Sequence, residues 1–235
     1  MWQVILSFLI STSFAQGFDS NKAYQDYQFS LETYTQSNSD FQKTRDFYLA
    51  NKTLTLKEDT RKKLLAMLKA RDQLESVYLT ALRIKLLETH GQTDKIDSEI
   101  EWYKNHLMNY KDDDVVENLF AKSSEVGERY KTNTSKVSYE ALFLISLGEE
   151  IELRQSHEAI YTQLKALVKD KDFFNRWFTD IDLVIQTLKQ NEELAKTQID
   201  KSYDDASETL NSSVASLNQL NKFLTEVNTS IKNQQ

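Results

Sequence analysis

The three histidines, His90, His106 and His157, are the side chains best suited to acid–base or metal chemistry near neutral pH, and each lies in a different segment. His157 is followed by Glu158, as in a zinc-protease helix, but Tyr161 stands where the second histidine is needed. Di-iron bundles use Glu-x-x-His pairs, whereas the residues three positions before these histidines are Leu87, Tyr103 and Arg154. Glu149, Glu150 and Glu152 therefore have no histidine partners for such a site. Asp112, Asp113 and Asp114 would attract calcium, yet no glycine or downstream glutamate completes an EF-hand loop. That run reads instead as a helix cap favoured by the macrodipole. No G-x-S-x-G elbow occurs, and the four glycines (Gly17, Gly91, Gly127, Gly148) are too few and scattered for a phosphate loop. The chain has no cysteine, hence no thiol nucleophile, cysteine metal site, disulfide or lipidated cysteine. The sequence thus assigns no catalytic, cofactor-binding or metal-binding residue, and it reads as a non-enzyme.

The elements that would position any site are helical. There is no proline among the 235 residues, and turn-rich β or α/β folds lean on proline and glycine. The expected fold is all-α: an elongated antiparallel bundle, or coiled-coil hairpin, of about five helices with the last two very long. A net charge of −7 favours solubility and argues against nucleic acid as a partner. The basic cluster Arg61, Lys62, Lys63, Lys69 and Arg71 reads as a solvated helix face.

The segment VILSFLISTSF, Val4 to Phe14, is uncharged and much shorter than the roughly 20 residues of a membrane span. With Ser13-Phe14-Ala15 behind it, residues 1–15 read as a signal peptide. The mature protein is then secreted or extracytoplasmic, with no stable membrane span. The other reading is an amphipathic or buried N-terminal helix. Sequons at Asn51, Asn133, Asn211 and Asn228 would matter only after eukaryotic export.

In residues 21–50, Tyr24, Tyr27, Leu31, Tyr34, Asn38, Phe41, Arg45 and Tyr48 recur at alternating spacings of three and four, a heptad seam. A second helix, 56–90, would start at a Thr55/Glu58 capping box and end with Gly91 in the left-handed position. Folding back near residue 52 sets Leu31 against Leu74, Tyr27 against Tyr78 and Arg45 opposite Asp59. A third helix, 94–110, carries Ile96, Ile100, Tyr103, Leu107 and Tyr110 on one face. Two long segments follow, 115–168 and 173–232. The first has a weak stretch at Tyr130–Lys136, and the second a stutter from Asn191 to Tyr203. Folding back near residues 170 and 171 sets Leu164 against Trp177, Ile160 against Ile181, Leu153 against Leu188, Val137 against Tyr203, Tyr130 against Leu210, and Val116 against Leu224.

The expected domains are 16–111, an N-terminal hairpin with a short third helix, and 112–235, the long hairpin. The expected role is that of an exported structural or interaction protein presenting a coiled-coil surface to an envelope or extracellular partner. The same chain could self-associate into a homo-oligomer. The alternative is an amphipathic bundle that carries a lipid or other apolar ligand.

Overall fold

The structure is a computed structural model that describes residues 18–168, 171–199 and 201–233. The segment read as a signal peptide lies outside the described residues. The chain is an all-α helical bundle: α1 (Phe18–Asn51), α2 (Leu54–Glu88), α3 (Asp94–Met108), α4 (Val116–Arg129), a π-helical turn (Tyr130–Thr134), α5 (Ser135–Leu167), α6 (Lys171–Gln198) and α7 (Tyr203–Lys232). No strand occurs among the described residues. The chain forms two compact units, residues 1–142 and 143–235, and the division falls within α5.

In the first unit, α2 is the common partner of α1, α3 and α4. The α1–α2 register is the one the seam implies: the Tyr27 and Tyr78 rings lie 5.8 Å apart, Thr60 donates to the Thr44 carbonyl at 3.3 Å, and Lys63 meets Asp40 at 3.5 Å. Tyr27 is buried, and Tyr24, Leu31 and Tyr34 are half-buried. Arg45 is exposed and bonds the neighbouring Asp46. The helix start also differs. The N-cap of α2 is Thr53, whose hydroxyl accepts from the Leu56 N–H at 3.3 Å, while Glu58 is taken by Arg61. On α3, Ile96, Ile100, Tyr103 and, just beyond its end, Tyr110 are buried as their spacing implies.

The end of α2 corrects the reading of Gly91. His90, with φ 59°, takes the left-handed position, and Gly91 has a negative φ. Its N–H reaches the Leu86 carbonyl at 2.8 Å and that of His90 reaches Leu87 at 3.1 Å, the two bonds of a Schellman motif. Glycine at 91 spares a close contact: a Cβ there would lie 2.2 Å from Cδ1 of the buried Leu86, and that side chain would have to shift.

The turn before α4 is a second correction. Val115 is the N-cap residue and makes no side-chain cap bond. Asp114 turns back to accept the Lys111 N–H at 2.9 Å and pairs with Lys122. The weak stretch at 130–136 appears as the π turn, which keeps the backbone helical while buried Thr134 is directed inward.

In the second unit the segment 173–232 is two helices. After Gln198 the chain reverses, and Ser202 caps α7 by accepting the Asp205 N–H at 3.2 Å, with Asp204 and Asp205 in the first turn. The spacing read as a stutter is therefore a hairpin turn. Trp177 donates to Glu226 at 3.1 Å and Thr209 to Gln198 at 2.7 Å, which fixes α6 and α7 as antiparallel.

The inner face of α5 is Phe143, Leu147, Glu150, Arg154, His157, Tyr161 and Leu164, continued by Val168 just beyond its end, at strict four–three spacing. The pairings expected for Leu153 and Ile160 are overturned: both are about half exposed, at 48% and 47%, and Arg154 and Tyr161 face α6 instead. The residues expected in the outer pairings have neighbours within their own units. Tyr203 meets Phe143, Leu210 packs with Phe143 and Ala206, and Leu224 joins the Phe174 core. Val116 packs with Leu64 and Leu119.

Two substitutions separate the roles at the α2 terminus. His90→Gly should raise stability by about 0.5–1 kcal/mol, because it removes a left-handed non-glycine residue. Gly91→Ala should lower it by about 1–3 kcal/mol through overpacking against Leu86. Urea denaturation of both variants checks the assignment; an indifferent Gly91→Ala would show that Leu86 has room to shift.

Candidate functional site

The polar chemistry of the first unit is buried on the inner face of α2. Its seam runs Leu65, Leu68, Asp72, Ser76, Leu79, Leu82, Leu86, so a carboxylate stands where a leucine would fit. Asp72 is fully buried and can persist as an anion only if it is paired. Arg71 reaches it at 2.9 Å and His106 Nδ1 at 2.6 Å. Arg71 also donates to Ser123 at 2.9 Å, tying α4 to α2. Trp102 stacks on the His106 ring at 5.0 Å, and Tyr110 meets its edge at 5.2 Å.

An Asp–His pair of this geometry orients an imidazole, the arrangement that in a hydrolase aims the far nitrogen at a nucleophile. Here His106 Nε2 is buried, has no hydrogen-bond partner among the described residues, and lies 3.8 Å from the Glu125 carboxylate. Ser123, the nearby hydroxyl, is engaged by Arg71. The pair as built binds α3 to α2.

A second cluster lies alongside. Glu99, buried on α3, accepts from Arg129 and, at 2.8 Å, from Thr134 of the π turn, while Tyr103 meets Thr134 at 3.3 Å. Arg129 stacks over Trp102 at 5.2 Å. Glu75 lies among tyrosines; burial pushes its carboxyl up to about 7, the nearby Asp72 charge adds to this, and Arg71 offsets part of it. Burial raises the Tyr78, Tyr103 and Tyr110 phenols as well.

The second unit has its own ionisable layer on the inner face of α5. Arg154 forks onto Glu192 of α6 and donates to Glu158 at 2.7 Å, and Lys189 reaches Glu158 at 2.9 Å. Glu150, one turn earlier, is buried with neither oxygen hydrogen-bonded among the described residues. Burial, then the Glu192 charge, pushes its carboxyl up to about 7, while Arg154 pulls the other way.

The candidate residues raised from sequence are not brought together. His90 belongs to a helix cap and His106 to the Asp72 pair, while His157 bonds the Leu153 carbonyl at 2.9 Å along its own helix. Among the described residues no group of three His, Asp or Glu side chains could hold a metal ion. Glu150 is buried and Glu152 exposed. Asp72, Glu99, Arg129 and Thr134 belong to no motif, and their only trace in the sequence is polarity at inward helix positions. No family model matches the chain, and no curated protein and no solved structure is detectably similar to it.

Glu150 makes the second unit sensitive to pH in a definite direction. Its folded pKa lies above the usual value of 4.5, so the folded state holds the proton more tightly. That contribution is fully present below about pH 4.5 and is lost as pH rises through about 7. Glu150→Gln should therefore stabilise the protein at pH 8 by up to about 3 kcal/mol, and much less at pH 5. Denaturant melts of wild type and variant at both values check the sign; an equal effect at both would place Glu150 in contact with water.

Proposed function

We propose that the chain is an exported, non-catalytic helical interaction protein in which the outer face of α5 receives an amphipathic helix of a partner. One observation supports this reading. Leu153, Ile160 and Leu167 repeat every seven residues along that face and are 48%, 47% and 60% exposed, while the inner face of the same helix is filled. Exposed Ala159 and Ala166 beside them leave room for close approach. A seven-residue apolar repeat on a rigid helix fits the seam of a second helix. Ile160→Glu should change stability by less than about 0.5 kcal/mol, because the residue is outside the core. A photo-crosslinker at position 160 should trap one helical partner in the native setting, and Leu153→Glu should abolish that product. Cooperative destabilisation by Ile160→Glu, or no crosslink, would remove the reading.

The carrier reading has its own support in a groove of about 580 Å³ between α1 and α2, lined by Ala23, Phe29, Val77 and Ile84 with Lys22 at its edge. Phe29 is 71% exposed beside it. If the groove holds a fatty acid, titration with oleate should saturate at one equivalent, and Phe29→Ala should weaken it several-fold. Non-saturating uptake would leave only surface adsorption.

A further inference from the structure

The α1–α2 turn displays apolar side chains that the hairpin does not use. Phe47, Leu49 and Leu54 are 61%, 56% and 85% exposed, while the inward positions at this end are the half-buried Thr44, Tyr48, Leu56 and Thr60. The turn itself is well bonded. Lys52 N–H reaches the Tyr48 carbonyl at 2.7 Å, the Asn51 amide donates to Phe47 at 2.9 Å, and Thr53 caps α2. The display is therefore a property of an ordered turn.

Charge at this end runs against that of the whole chain. Between positions 43 and 63 seven Lys and Arg stand against three Asp and Glu, a surplus of +4 in a protein whose net charge is −7. Lys43, Lys52, Lys57 and Lys62 are exposed, and all lie within about 15 Å of the turn along the helices. The acidic turn before α4 meets α2 at Arg61, where Asp112 and Asp114 are answered by Lys69 and Lys122.

An apolar tip inside a basic collar matches a bilayer interface with anionic headgroups: the hydrocarbon side chains enter below the phosphates and the ammonium groups stay among them. Nucleic acid would use the charge but not three exposed hydrocarbon side chains. A protein groove would use the hydrocarbon but not the collar. We propose that this tip docks the protein on an anionic lipid surface, with Phe47, Leu49 and Leu54 entering the interface. The contact is interfacial, since no described helix is long and apolar enough to cross a membrane. The tip belongs to the first unit and the α5 stripe to the second, so this proposal and the partner-helix reading stand or fall separately.

The test uses the full chain and phosphatidylcholine vesicles with or without about 30% phosphatidylserine. The protein should sediment with the anionic vesicles at low salt and at least about tenfold less with the neutral ones or at high salt. Phe47→Ser with Leu54→Ser should keep the thermal midpoint and weaken binding about tenfold. Leu54→Trp should add a fluorescence component that shifts to shorter wavelength when anionic vesicles are present. The proposal is overturned by absence of binding to the anionic vesicles, by undiminished binding of the double serine variant, or by an unshifted Leu54→Trp signal on vesicle-bound protein.

Discussion

Arg154 is enclosed between α5 and α6, and its guanidinium has two carboxylates to satisfy, Glu192 across the interface and Glu158 on its own helix. A seam of leucines can slide by a heptad and recover most of its contacts. A seam that contains a buried guanidinium cannot, because any slide strands a charge in a medium that solvates it poorly. The first unit obeys the same constraint: Asp72 is met by Arg71 and His106, and Glu99 by Arg129 and Thr134. The pairs contribute modestly to net stability, since their desolvation offsets much of their attraction. What they supply is register, and the hydrophobic layers on either side pack around the register so set.

The tyrosines of α1 fit this arrangement. Tyr27 meets Tyr78 of α2; burial raises both phenols, and the nearby Glu75 charge adds to it. The stripe lines the hairpin, and of its tyrosines Tyr27 lies near Glu75, whose carboxyl has a raised pKa. Its other edge opens into the groove near Phe29.

The helical class was legible because it rests on composition: a chain without proline and nearly without glycine has few ways to turn. The α1–α2 register was legible because Tyr27 and Leu31 fall opposite the apolar or aromatic Tyr78 and Leu74. The α5 register was not, for a physical reason. Glu150, Arg154 and His157 occupy inward positions while Leu153 and Ile160 point out, so a rule that sends apolar residues inward selects the wrong face. The reversal after Gln198 escaped for a related reason, since Ala195, Ile199 and Tyr203 keep a helical spacing through the turn. The local signal was Ser202 followed by Asp204 and Asp205, a cap with an acidic first turn. The Asp72–His106 pair joins residues 34 positions apart, and no local pattern can disclose such a pair.

The short turns have a consequence for how quickly the molecule can form. Helices adjacent in the chain pack on one another, as α1 does on α2, α2 on α3 and α6 on α7. Each docking step closes a loop of only a few residues, so little chain entropy is lost before contacts form. With no proline and no cysteine, neither prolyl isomerisation nor thiol exchange can hold up the search. What the packing helices must still bring together are the enclosed charges, Arg154 with Glu192 and Asp72 with Arg71 and His106. A rate set by that step would depend on pH and ionic strength rather than on isomerases or redox conditions.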